Sequence, residues 1–138
     1  MTHKSYIFYL LFMMIACIGA FLWQFFLPQL ALPYSLWGCA PGWQREIALW
    51  NIGLIATISY TLIHRSPALL RLMTYQATIL CWLLGFHHLV TVLHTPSLSA
   101  TIHWLGFIEV LIIGGLWGSI VLWRTKSNTS QKIKEKNH

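Results

Sequence analysis

Four long runs, dominated by apolar residues, fill almost the whole chain: roughly Tyr6–Leu27, Gln44–His64, Leu72–His94 and Ile102–Trp123. Each reaches the length of about 20 residues at which a helix rising 1.5 Å per residue crosses about 30 Å of hydrocarbon. Lipid offers the backbone no hydrogen-bond partners, so each run is expected as a membrane-spanning α-helix. Pro28 ends the first run, because its ring nitrogen carries no hydrogen to continue the ladder. A connection rich in turn formers (Pro33, Gly38, Pro41, Gly42) follows, and its Leu30, Leu32, Leu36 and Trp37 suit a segment lying in the membrane interface. His64-Arg65-Ser66-Pro67 and Thr95-Pro96-Ser97 are short turns, and short turns make successive helices antiparallel neighbours. The pattern predicts an all-α polytopic membrane protein, an antiparallel up-down four-helix transmembrane bundle.

With 138 residues, 57% hydrophobic and only 9% charged, the chain reads as one transmembrane domain over 1–124 and a basic tail over 125–138. The net charge of +6 would fit a nucleic-acid binder, but its distribution points to a membrane instead. Lys4, Arg65, Arg71, Arg124, Lys126, Lys132, Lys134 and Lys136 fall on one side of the expected topology, and Arg45 alone on the other. That asymmetry is a positive-inside signature and predicts an inner (cytoplasmic) membrane protein with both termini cytoplasmic. The lysine-rich tail is expected to stay disordered near anionic lipid, with no nucleic acid as partner. Met14-Ile15-Ala16-Cys17 has the look of a lipoprotein cleavage box. Apolar sequence continues beyond Cys17, however, so the run is expected to remain an intact helix. Cys17, Cys39 and Cys81 are scattered and form no metal-binding or redox spacing. Trp23, Trp43, Trp104 and Trp123, with Tyr6 and Tyr34, fall near span ends, where amphipathic rings belong.

Polar residues inside spans carry the remaining information, because each ionisable group there costs a few kcal/mol. Asn51 lies seven residues into the second span from Gln44. His87 lies seven before His94, and Glu109 seven after Ile102. At 1.5 Å per residue each sits about 10 Å below the same boundary, so Asn51, His87 or His88, and Glu109 are expected at one level. Gln44, Arg45, Glu46, His94 and His103 form a shallower layer above them. Three readings follow: an interhelical hydrogen-bonded clamp, a small-ligand, quinone or proton site, and haem or metal ligation by His87, His88, His94 or His103. Adjacent histidines point about 100° apart on a helix, so His87 and His88 cannot both face one ion unaided. Glu46 is expected in the first turn of its helix, favoured by the helix dipole. Gly114, Gly115, Gly118 and Ser119, and Ala16 with Ala20, are small-residue pairs that let helices approach closely, within the bundle, in a homodimer or, for the helix 4 set, against a membrane-protein partner.

The stretch Pro41-Gly42-Trp43-Gln44-Arg45-Glu46-Ile47-Ala48-Leu49-Trp50-Asn51-Ile52-Gly53 follows the pattern P-x-x-Q-x-E-I-x-x-x-N-x-G. It resembles small four-helix membrane proteins of bacteria, loosely the DoxX-like group, and marks Pro41, Gln44, Glu46, Asn51 and Gly53. The resemblance implies the four-span class and a link to quinone-coupled redox chemistry. The residues themselves contain no catalytic constellation. They point first to a non-enzymatic structural or accessory subunit in the bilayer, and second to a ligand site in the outer half of the bundle on Glu109, His87 or His88, and Asn51, with Gln44 and Glu46 above them.

Overall fold

A computed structural model of the chain describes residues 2–94 and 100–125. Four helices are long and apolar enough to cross a membrane: α1 (Thr2–Phe26), α2 (Pro41–His64), α3 (Pro67–His94) and α4 (Thr101–Thr125). No strand occurs among the described residues, and the all-α four-helix bundle expected from the pattern is the fold. The expected turn at Thr95-Pro96-Ser97 and the tail from 126 onward lie outside the described residues.

Local chemistry sets the helix ends. After α1, Pro28 opens a short 3-10 turn, Pro28–Ala31. Pro41 stands at the first position of α2, where its missing N–H would have been unpaired anyway. The helix therefore begins earlier than its apolar run, and Glu46 falls beyond the first turn. The dipole-capping role expected for Glu46 is thus corrected. Arg65 ends α2 in a left-handed conformation (φ 51°), with its N–H donating to the Thr61 carbonyl at 2.9 Å. Such a conformation costs a non-glycine residue about 1–2 kcal/mol. Pro67 then opens α3, again ahead of the apolar run, and the Leu70 N–H donates to Ser66 O at 2.9 Å.

The fourth span is not uniform. It is α-helical over Thr101–Gly106, a π-helix over Phe107–Leu116, and α-helical again over 117–125. Helices α1 and α2 pair closely, as do α3 and α4, and a buried cluster joins the two hairpins. Tyr9, Leu10 and Met13 of α1 meet Ile58 of α2, Leu70, Met73, Ala77 and Cys81 of α3, and Val121 of α4. Trp117 sets its edge against Tyr9 and Phe12, with ring centroids 5.4 and 5.7 Å apart.

Small residues decide how near α3 and α4 come. A Cβ on Gly85 would stand 2.6 Å from Leu111 Cβ and from its backbone nitrogen, and one on Gly114 would collide with Cys81 Sγ. A Cβ on Gly118 would collide with Thr78 Oγ1 and the Tyr9 hydroxyl, and Gly115 lies under the Trp82 ring. Ser119 Oγ accepts from Trp82 Nε1 at 3.0 Å. Gly114, Gly115 and Gly118 are buried by this packing, so their face is taken up inside the chain. This packing gives no support to the alternative expectation, a homodimer or a membrane-protein partner through that face. Tyr6, expected at the interface, is also buried and hydrogen-bonded to Thr125.

The Tyr9 hydroxyl donates to Gly114 O at 2.9 Å and accepts from Thr78 Oγ1 at 3.4 Å, tying α1, α3 and α4 together. Interhelical hydrogen bonds in membranes are individually small. Tyr9→Phe is therefore expected to lower stability by about 1 kcal/mol, read as a modest fall in the thermal midpoint in detergent micelles.

Outside this core the spans face lipid. Trp104 and Trp123, both exposed, stand near opposite ends of α4, where amphipathic rings meet the two membrane interfaces.

Candidate functional site

At the end where α1 joins α2, polar groups from the connection, α3 and α4 converge. His103 belongs to the first α-helical stretch of α4 and is fully buried. His88 of α3 is half-buried, and its Nδ1 lies 3.2 Å from His103 Nδ1. The α1–α2 connection closes over them. The Leu36 N–H donates to His103 Nε2 at 2.9 Å, and the Ile102 N–H donates to Tyr34 O at 3.1 Å. Trp37 then lies across three histidines, stacked on His87 (4.8 Å, 23°) and His88 (5.0 Å, 27°) and tilted on His103 (4.4 Å, 58°). Gly106 makes room for this arrangement, because a Cβ there would stand 2.8 Å from the His88 ring.

The ring protons follow from the donors. A backbone N–H can only donate, so His103 Nε2 is an acceptor and the neutral ring carries its hydrogen on Nδ1. That hydrogen points to His88 Nδ1, which accepts, and the neutral His88 ring therefore carries its own hydrogen on Nε2. Ser35 Oγ, 3.5 Å from His103 Nε2, accepts from the Trp37 N–H at 3.2 Å and steadies the turn. In this state neither His88 nor His103 has a lone pair free for a metal or haem iron; ligation by either would break one of the two bonds. Among the described residues, no group of three His, Cys, Asp or Glu side chains is placed to hold a metal ion. The chemistry of the cluster is that of a latch: aromatic stacking and two directed hydrogen bonds hold a loop on a helical hairpin.

The residues expected from the sequence divide between this cluster and elsewhere. His87 and His88 join it, together with His103 from the shallower layer. Asn51 donates to Ile47 O at 3.1 Å, one turn back on its own helix. Gln44 Oε1 accepts from the Cys39 thiol at 3.9 Å, and the same sulfur lies 3.7 Å from Pro28 O. Glu46 is exposed near the start of α2, and Gly53 faces open space. Glu109 is exposed on the π-helical part of α4, and among the described residues no hydrogen bond or ion pair reaches its carboxyl. Asn51, His87 or His88, and Glu109 therefore form no hydrogen-bonded centre among the described residues.

The register explains why. Gly85 touches Leu111, which sets His87 level with Glu109 across the hairpin, as the depth count implied. Both side chains are exposed, so neither fills the α3–α4 seam. Trp37 and Leu36 were missed as site residues, because nothing local in the sequence says where a connection will fold back. His103 stands among the candidate histidines of the sequence; its pairing with His88 is what the pattern does not show.

No protein-family model, curated protein or solved structure matches this chain.

Proposed function

We propose that the chain is a non-enzymatic accessory subunit of an inner-membrane assembly, which presents Glu109 to a transmembrane segment of another protein. The observation that carries this reading is Glu109 itself. Its carboxyl lies within the span, five residues inward of Trp104, exposed and without a partner among the described residues. A carboxyl left in lipid costs about 2.5–3.5 kcal/mol, and membrane proteins normally turn such groups inward or pair them. Around it the helix surface is aliphatic, with Leu105, Ile108, Ile112, Ile113 and Leu116 all exposed. A partner helix carrying a hydrogen-bond donor at that height would satisfy the group and cover the surface beside it. The one-sided distribution of basic residues supports termini on the cytoplasmic side. The latch of Trp37, His88 and His103 fits a rigid scaffold better than a reaction centre.

Carbodiimide labelling and native electrophoresis test this together. In gently solubilised membranes, the wild-type chain is expected to migrate in a larger complex, with Glu109 protected from dicyclohexylcarbodiimide. After purification away from that complex, Glu109 should become modified. Glu109→Leu is expected to release the chain from the complex while leaving its own unfolding midpoint unchanged or slightly raised. Wild-type and variant chains that both migrate alone, or a complex indifferent to the substitution, would overturn the proposal.

A further inference from the structure

We infer that the groove between α2 and α3 holds one anionic phospholipid of the surrounding bilayer, with an acyl chain along the groove and the phosphate on Arg65. The helices are joined by a turn of only two residues, yet they leave a groove of about 450 Å³, lined by Ala56, Tyr60, Thr61, Leu69, Leu72 and Met73 among others. Its walls belong to two membrane spans, so the molecules that reach it are the bilayer's own. Hydrocarbon fits the mostly apolar lining.

Three features one turn beyond the groove residues Tyr60 and Thr61 would select a headgroup. Arg65 holds the left-handed position that closes α2, a place glycine fills without strain. Keeping a large cation there, against its backbone preference, points to a use for the side chain. Its Nε donates to Leu62 O at 3.3 Å, while its terminal amino groups have no partner among the described residues. They are a fork suited to phosphate oxygens. Next, the His64 ring stacks on Tyr60, a groove residue, with centroids 3.9 Å apart, and its Nδ1 donates to Tyr60 O at 2.9 Å. That contact puts the ring hydrogen on Nδ1, so Nε2 is an acceptor, open to a hydroxyl of the headgroup. Lastly, the charge at this end is one-sided: Lys4, Arg71 and Arg124 lie towards it, whereas the described carboxylates, Glu46 and Glu109, lie towards the other. Basic sites of this kind between transmembrane helices favour anionic headgroups.

The test uses the full chain purified in non-ionic detergent, supplied with phosphatidylglycerol or phosphatidylcholine of identical acyl chains and read by native mass spectrometry. The wild-type chain is expected to retain one phosphatidylglycerol at roughly fivefold lower lipid concentration than phosphatidylcholine. Arg65→Gly should erase that preference. Its thermal midpoint should hold or rise, because glycine relieves the left-handed backbone, so any loss of binding is not a loss of fold. Ala56→Trp, which fills the groove, should reduce retention of both lipids. Equal retention of the two lipids by the wild-type chain, undiminished phosphatidylglycerol preference in Arg65→Gly, or undiminished retention in Ala56→Trp would each overturn the inference. Glu109 takes no part in this readout, so the lipid site stands or falls separately from the partner reading.

Discussion

Replacing Gly85 with leucine is expected to break the α3–α4 hairpin and leave a chain that no longer unfolds in a single cooperative step. At this position the neighbour is backbone: an added Cβ would stand 2.6 Å from the Leu111 nitrogen and 2.7 Å from its Cα. A flexible side chain could swing aside, but a main chain held by its own helical hydrogen bonds moves only if the helix moves. Overpacking of this kind costs about 1–3 kcal/mol even for small additions, so Gly85→Ala should already lower stability by that amount. Leucine must separate the helices, and with them Cys81 from Gly114 and Thr78 from Gly118. In membranes the hydrophobic effect does not hold helices together, so lipid does not restore the specific packing that this seam provides. Gly53 is the matched control, because nothing lies within 4 Å of its Cβ position. Gly53→Ala should be neutral or stabilising by up to about 1 kcal/mol, since alanine is the better helix former. Circular dichroism during titration with a denaturing detergent separates these outcomes. A Gly85→Leu chain that unfolds like the parent would remove the close approach at Gly85 as a determinant of the fold.

The same seam shows what the sequence could and could not yield. Spans, their order and the turns at Pro28 and Arg65 are legible because lipid leaves the backbone one economical solution and proline has no N–H to give. Depth is legible too: counting residues from the span ends puts His87 and Glu109 at one level, and the Gly85–Leu111 contact agrees. Depth alone does not bring side chains together, however. Which way a side chain turns at that depth depends on the residues per turn, and the π-helical stretch of α4 departs from the ideal step at Glu109. Two other features were not legible. The π-helix over Phe107–Leu116 has no residue signature that an α-helix lacks, and it appears where α4 must satisfy contacts to α3 at both ends. The placement of Trp37 over His87, His88 and His103 depends on the course of an irregular connection, which no periodicity encodes.

That connection is where the second large effect is expected. His103→Phe preserves an aromatic ring of similar shape beneath Trp37, yet it removes both hydrogen bonds of the latch. The Leu36 N–H loses its acceptor and His88 Nδ1 loses its donor, both in a partly buried setting. A buried polar group left unpaired costs about 1–3 kcal/mol, so the two together should free the loop even where the stacking surface survives. Hydrogen–deuterium exchange reads this directly: the Leu36 amide, slow in the parent, should exchange at least tenfold faster in His103→Phe, as a loss of about 1.4 kcal/mol would imply. The Gly85–Leu111 region should keep its protection, because no contact there involves His103. His103→Gln provides the discriminating comparison, since its amide offers an acceptor to Leu36 and a donor to His88. It should recover part of the protection that phenylalanine loses. If phenylalanine protects the Leu36 amide as well as histidine does, ring stacking alone holds the loop, and the proton assignment that leaves His103 Nε2 an acceptor has no energetic consequence.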